Sequence, residues 1–578
     1  MATGNLGSFA LVLHSHIPYV LAHGRWPHGM DWLSEVTAEC YIPLLGVLNR
    51  LADEGVSPKV TLGLTPILVE QLADETFAGE FEEYLRQKID IAGANAAEFR
   101  RHGAPHMVAL AEYWRAFYEG VRRQYIEAYG RDLVGAFRAL QDAGRIEILT
   151  SAATHGYLPL IGRDACIRAQ VRQGVAAYRR HFGRSPRGFW LPECAYRPRY
   201  RWRPPIAAFQ TPEPILRRGI EEFLAEEGLR YFCVDAHLLR GGRAIGVYAE
   251  RFKALEELWS QFAREVTPED VERSPHLPYL VNSSGRPLPP VAVFARDQHT
   301  GEQVWSGEIG YPGDEHYLEF HKKHYPGNLR YWRISWPRND LGRKELYEPV
   351  RALSRLPEHA RHHHERLREL LERHVAEYGT PGVVASMYDT ELFGHWWFEG
   401  PEFLYYAIRR LADDPEIERV TCGEYLERRP PSTVVSLPEG SWGEGGYHWI
   451  WLNEWTAWTW EKVYECEREM VALARELGDL PRVATLLRQA ARELLLLESS
   501  DWQFSISTWT SRDYAEQRVH YHHGKFRAIA DLARRVARGE EIEPDAWNEL
   551  GEAEDRDRCF PDVDPSWWAE DDSVAETP

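Results

Sequence analysis

The sequence lacks most marks of a secreted, membrane-bound or nucleic-acid-binding protein. Its seven cysteines, at 40, 166, 194, 233, 422, 466 and 559, form no C-x-x-C pair. An odd, scattered set reads as reduced thiols, with neither a disulfide framework nor a thiolate metal site. No apolar run approaches the roughly 18 residues of a membrane span. The stretch Phe9 to Leu13 stops at His14, and no basic n-region precedes it, so the expectation is a cytoplasmic protein without a signal peptide or membrane partner. Basic charge is in deficit: 68 Lys and Arg stand against 88 Asp and Glu, a formal net charge of −20. Such a surface repels phosphate backbones, which argues against nucleic acid and leaves a neutral ligand as the compatible partner.

Tryptophan, in contrast, is abundant. The 22 residues gather at Trp26 and Trp32, at Trp396 and Trp397, and from Trp442 to Trp460, among His, Asp and Glu. Sugar rings stack their apolar C–H faces on aromatic rings while their hydroxyls need planar polar partners, so this mixture suits a carbohydrate site. Core packing accounts for about half of the tryptophans on general grounds.

A chain of 578 residues exceeds what one core usually supports. Short apolar, β-branched runs recur at Phe9–Leu13, Val60–Leu64, Ile146–Leu149, Gly188–Leu191, Tyr231–Val234, Val291–Ala295 and Val383–Met387, each ending in polar groups. Continuous apolar runs separated by helical segments predict parallel strands buried on both faces, hence an α/β barrel with its chemistry at the strand C-termini. The expected organisation is a catalytic barrel over 1–400 with a helical subdomain inserted at 75–145, a helical C-terminal domain over 401–550, and an acidic tail at 551–578. The run His362, His363, His364 within the helical stretch Arg343 to Tyr378 reads as a solvated helix face.

Three strand ends carry candidate chemistry. In Trp190-Leu191-Pro192-Glu193 a buried strand stops at a proline and presents a carboxylate, a candidate nucleophile. In Ser386-Met387-Tyr388-Asp389-Thr390-Glu391 another ends in an acid, with Asp389 the natural partner and Glu391 its rival. A retaining glycosidase needs two carboxyl groups about 5 to 5.5 Å apart, one attacking the anomeric carbon and one protonating the leaving oxygen. The third, His14-Ser15-His16, places two imidazoles on one face of an extended chain, suited to sugar hydroxyls or, with Asp389 or His395, to the metal of a deacetylase. Arg296 through Trp305 to Gly313, and the Gly-rich, Trp-rich stretch from Ser441 to Asn453, have the composition of a sugar groove.

Taken in order, His14 to Val20, Ile146 to Leu160 with Thr154-His155-Gly156-Tyr157, Trp190 to Glu193, Tyr388 to Trp397 and Trp442 to Asn453 resemble the five motifs of glycoside hydrolase family 57, in the form its branching enzymes carry. The resemblance covers nearly the whole chain. It implies an incomplete seven-stranded (β/α)7 barrel with an inserted helical subdomain and an all-α C-terminal domain that closes over the cleft. It also implies Glu193 as nucleophile and Asp389 as proton donor, without metal or organic cofactor. The substrate would be an α-1,4-glucan, contacted by Arg296, Gly313, Trp442 and Asp501, by Trp305, Trp451 and Trp32, and by His14 and His155. The implied activity is 1,4-α-glucan branching in glycogen-type synthesis, by a monomer or small homo-oligomer. One stretch departs from the pattern: a charged insertion, 250–285, stands where a shorter loop with a functional tyrosine is expected, leaving Tyr248 or Tyr279 for that place. The alternatives are an α-amylase or 4-α-glucanotransferase of the same family and, more distantly, a non-catalytic glycan-binding protein or a metal-dependent deacetylase.

Overall fold

The computed structural model describes residues 5–25, 27–239, 273–336 and 340–569. Seven strands form its centre: β1 (Gly7–Ser15), β2 (Val60–Leu64), β3 (Ile146–Ser151), β4 (Gly188–Trp190), β5 (Tyr231–Asp235), β6 (Val291–Arg296) and β7 (Gly382–Asp389). They pair in parallel in the order β7-β1-β2-β3-β4-β5-β6. Between β6 and β7 no ladder exists among the described residues. A backbone bond from Asp297 N–H to the Ala385 carbonyl, 2.9 Å, spans the seam. Side chains reinforce it: Ser386 Oγ donates to Thr300 Oγ1 (2.8 Å) and Tyr388 OH to the Thr300 carbonyl (2.9 Å). Thr300 belongs to helix α3, introduced below, so the barrel is closed at this joint by a helix rather than by a strand pair.

Alternation along the strands divides them into an inner and an outer set. Phe9, Leu11 and Leu13 pack outward into the large core, whereas Ala10 and Val12 share the barrel interior with Leu149, Trp190, Tyr231, Cys233, Ala292, Phe294, Val383, Ala385 and Met387. Counting on by twos, the last inward positions at the C-terminal mouth are His14, Gly63, Ser151, Trp190, Asp235, Arg296 and Asp389. Both faces of each strand are therefore buried until the final residue, which is why the sequence reads as unbroken apolar runs ending in polar groups. The opposite end is plugged by Val420, Cys422, Tyr425 and Leu426 of the interior cluster.

Between β2 and β3 two long helices lie side by side, α1 (Glu75–Arg101) and α2 (Pro105–Arg123). Asp74 caps α1 by accepting from Thr76 N–H, and its buried residues Phe77, Phe81, Tyr84, Leu85, Lys88, Ala92, Asn95, Ala96 and Phe99 follow helical spacing. After β6 comes α3 (Gln298–Trp305), and before β7 runs α4 (Pro349–Tyr378). The histidine run on α4 is a solvated face only in part, since His362 is exposed. His363 is buried edge-on against Phe9, 5.9 Å between ring centroids, while His362 meets Tyr311 and His364 meets Asp414. Helical period turns one of any three successive residues inward, and here it is the central imidazole.

The C-terminal part is helical: α5 (Ala457–Leu477), α6 (Ala484–Leu497), α7 (Ser500–Thr508), α8 (Arg512–Ala537) and α9 (Pro544–Arg556). Helix α9 runs through the expected 550/551 boundary. Beyond it Asp557, Cys559, Phe560, Val563 and Trp568 are buried, so the acidic stretch is docked on the body up to 569. Tyr248 and most of the 250–285 stretch lie outside the described residues. Tyr279 sits in a short strand antiparallel to β6, its hydroxyl on the Ser274 carbonyl, and is 7% exposed, so it is not a loop tyrosine.

Candidate active site

β4 ends at Trp190, and Pro192 stops further pairing. The chain then turns so sharply that Glu193 and Cys194 take left-handed backbone angles, φ 60° and 48°. Such conformations cost of order 1–3 kcal/mol each in a non-glycine residue and persist where the surroundings over-determine them. Here the determinants come from the loop at 440–446: Trp442 N–H donates to the Glu193 carbonyl (3.1 Å) and Tyr196 N–H to the Gly440 carbonyl (2.9 Å). The same tryptophan uses its indole, with Nε1–H donating to Glu193 Oε2 at 2.8 Å.

The other oxygen of Glu193 faces the second motif and α7. Ser500 Oγ is 3.4 Å and His155 Nδ1 3.8 Å from Oε1, and His155 Nδ1 and Ser500 Oγ lie 3.0 Å apart. His155, itself at φ 59°, meets His14 through their Nε2 atoms at 3.0 Å, and His14 stacks on Trp190 at 4.5 Å. His14 has room because its neighbour in the ladder is Gly63, where a Cβ would lie 3.3 Å from the imidazole. His16 bridges Thr65 (3.0 Å) and Asp501 Oδ2 (2.8 Å).

Asp389 is the strand neighbour of His14 in the β1–β7 register. Its inward parity sends it to the same mouth as Glu193, and the two carboxyl groups interact electrostatically. Burial holds both far from their ordinary acidity. Glu193 is pushed up to about 8 by burial, against the Trp442 donor, with the Asp389 and Asp501 charges adding to the rise. Asp389 is raised well above the carboxylate range by burial, helped by Glu391 and opposed by Arg296. The rival acid Glu391 is tied back, accepting from the Tyr41 hydroxyl and from His16 N–H (3.1 Å), which anchors the turn after β7. Burial also lowers His14 and His155, so both imidazoles are neutral donors and acceptors, whereas His16 holds Asp501 below the usual range despite burial.

Arg296 is fixed by an ion pair with Asp235 and lies 5.3 Å from the Trp442 ring centroid; Trp305, on α3, packs edge-on against the same ring at 5.9 Å. Five of the residues singled out in the sequence thus meet around Glu193, namely Trp442, His155, His14, Asp501 and Asp389, with Arg296 and Trp305 beside the Trp442 ring. Others do not join them directly. Trp451 is 1% exposed and stacked on Tyr157 at 4.4 Å, so it supports the 440–446 loop instead of offering a ring face. Gly313 sits at the far end of its loop, in a turn whose Tyr311 packs on His359 and His362, and Trp32 is half-buried against the core. Asp235 and Ser500 were not singled out. The strand-end rule reaches Asp235, but nothing in the local sequence announces Ser500.

The ligand atoms of His16, His155 and Asp501 lie within 4.8 Å of one another, close enough for a metal. Every ring nitrogen of that pair is already engaged, by Thr65, Asp501, Ser500 and His14. His395 turns to Glu35 and Glu39 instead, 3.7 and 3.6 Å away, so it does not join the first-strand imidazoles in the ligand set a deacetylase would use. A cavity of about 410 Å³ lined by Glu147, Tyr178 and Arg187 lies at the strand N-termini, away from these groups.

The family model for glycosyl hydrolase family 57 matches residues 10–438. The chain belongs to glycosyl hydrolase family 57. A second model, described as the C-terminal part of 1,4-alpha-glucan branching enzymes, matches residues 462–568. The sequence is 43% identical to a 1,4-alpha-glucan branching enzyme of Thermococcus kodakarensis over 92% of this chain and 75% of that one. A crystal structure of a family 57 branching enzyme of that archaeon, containing glucose, superposes with a TM-score of 0.87 over 98% of this chain and 97% of the other, at 40% identity. The family 57 branching enzyme of Pyrococcus horikoshii follows at 0.86, 38% identity and the same coverage. The α-amylase AmyC of Thermotoga maritima is similar at 0.79 and 27% identity, covering 98% and 99%.

Proposed function

We propose that this family 57 protein is a retaining 1,4-α-glucan branching enzyme, in which Glu193 attacks the anomeric carbon of an α-1,4-linked glucose and Asp389 protonates the departing oxygen. The observation that carries the division of labour is the unequal treatment of two buried acids. Neighbouring carboxylates favour the proton on each acid, but Glu193 also receives a direct donor from the Trp442 indole, which favours its anion, whereas on Asp389 the Glu391 and Arg296 charges act in opposite senses. The glycosyl group then rests on Glu193. Asp389, now deprotonated, takes the proton from the 6-hydroxyl of a second glucan chain as that oxygen attacks.

His14 and His155 serve as neutral hydrogen-bonding groups beside the reacting sugar, and Asp501, held as an anion by His16, anchors a hydroxyl. Trp442 and Trp305 form the aromatic wall, with Arg296 set between that wall and Asp235. Glycogen-type polysaccharide and a cytoplasmic setting are the context this reading favours; no helix among the described residues is long and apolar enough to cross a membrane. Proton NMR of amylose after incubation tests it. More α-1,6 anomeric signal is expected than new reducing ends. The likeness to the T. maritima α-amylase supports a second reading, in which water takes the glycosyl group, and accumulating reducing sugar without α-1,6 signal would select it.

A further inference from the structure

Helix α7 starts inside the cleft and ends on the surface. At its first residues Ser500 faces Glu193 and Asp501 binds His16. About 12 Å further along the axis, the helix terminates at Trp509, which is 62% exposed and held in the left-handed conformation, φ 59° and ψ 16°. That position after a helix ordinarily goes to glycine, because any Cβ is strained there. Trp509 therefore bears a backbone cost and an exposed apolar ring, and neither helix capping nor core packing explains both.

Its surroundings are built. Arg512 places its guanidinium 4.6 Å from the Trp509 centroid and is itself braced by Glu516 (2.7 Å); Trp455 stands edge-on at 6.1 Å; Phe504, one turn back on α7, is 38% exposed. Trp455 comes from the loop that carries Trp442, and that loop is latched to α7 by Asn453 Nδ2 donating to Ser507 Oγ (2.8 Å). On the adjoining first turns of α8, Asp513, Glu516, Gln517, His520 and Tyr521 line an open groove of about 650 Å³. An aromatic face beside planar polar groups is the chemistry of a sugar platform.

We propose that Trp509, with Trp455 and Phe504, is a remote glucan-binding platform that holds the part of a long α-1,4-glucan chain lying outside the cleft. It rests on the glucan reading above and concerns chain length, not the bond-making step. The test is Trp509→Ala, with Trp509→Gly as the variant that suits the left-handed backbone. For both, KM on amylose is expected to rise about three- to tenfold, while turnover of a p-nitrophenyl α-maltoside, which reaches only the cleft, stays unchanged. Trp509→Gly, which relieves the left-handed strain, should melt no lower than Trp509→Ala. Retardation of the inactive Glu193→Gln protein in an amylopectin gel should weaken when Trp509→Ala is added. Unchanged KM and gel retardation, or an equal loss on the long and short substrates, would overturn the platform. Absence of wild-type activity on amylose, with retardation still dependent on Trp509, would instead strike the catalytic reading and leave the platform standing.

Discussion

The two sides of the cleft are built on different principles. On the barrel side, His14, Asp235, Arg296 and Asp389 are the terminal inward residues of parallel strands, their positions fixed by ladders that also hold the core. On the other side, Trp442, Ser500 and Asp501 come from a loop and a short helix of the C-terminal part; Trp442 and Ser500 reach Glu193 through side-chain and single backbone bonds, and Asp501 reaches His16. The difference teaches that the barrel supplies place and the helical wall supplies electrostatic tuning: the wall donates to Glu193 and, through Asp501, binds His16 of the barrel.

Substitutions on the two sides should separate these contributions. The largest effect is expected at the acids: Glu193→Gln should lower amylose turnover by at least about 10⁴-fold. Asp389→Asn should lose roughly 10²–10⁴-fold on amylose yet much less on a glycoside whose leaving group needs no proton; equal loss on both would make Asp389 structural. Next, Asp501→Asn removes the carboxylate that His16 binds from the wall side, a charge-assisted bond, and a roughly ten- to hundredfold fall in kcat/KM is expected with the fold intact. An effect confined to melting temperature would deny the wall its tuning role.

Trp442→Phe keeps a ring and removes the indole donor. That donor lowers the Glu193 pKa, so its loss raises it, and the acid limb of the pH–rate profile should move to higher pH with a several-fold loss at neutrality. An unmoved limb would mean that another group sets it. The smallest effect is on stability. Glu193 is raised from 4.5 to about 8 in the fold, so its contribution to stability is fully present below about 4.5 and is lost as pH climbs towards 8. Glu193→Gln should therefore match wild type in melting near pH 4 and exceed it increasingly up to pH 8.

The contrast also explains what could be read from the sequence. Strand-borne groups were legible because two-sided burial writes an apolar run that ends at the mouth, which places Glu193 just past β4 and makes Asp389 the last residue of β7. What separates Asp389 from Glu391 is the end of the strand: β7 stops at Asp389, and the turn at Thr390–Leu392 carries Glu391 to Tyr41 and His16, a boundary that a bare sequence does not mark. Ser500 was not legible because its position depends on where α7 docks, some 300 residues beyond Glu193. Trp451 and Trp442 look alike in a Trp-rich stretch, yet one lies under Tyr157 and the other faces Glu193; that choice is made by the turn at Gly443, where a Cβ would collide with the Trp451 ring. His363 misled for a similar reason, because three successive histidines conceal which one a helix turns inward.

The seam between β6 and β7 gives the cleft a further property. Thr300, which stitches the two strands through Ser386 and Tyr388, lies on the same two-turn helix as Trp305, and Asp297 caps that helix while its own backbone N–H bridges to Ala385. Residues 297–305 are thus at once the clasp of the barrel and the mount of an aromatic wall. Recognition and closure are inherited together here: a graft meant to re-aim Trp305 has to carry Asp297 and Thr300 with it as one cassette.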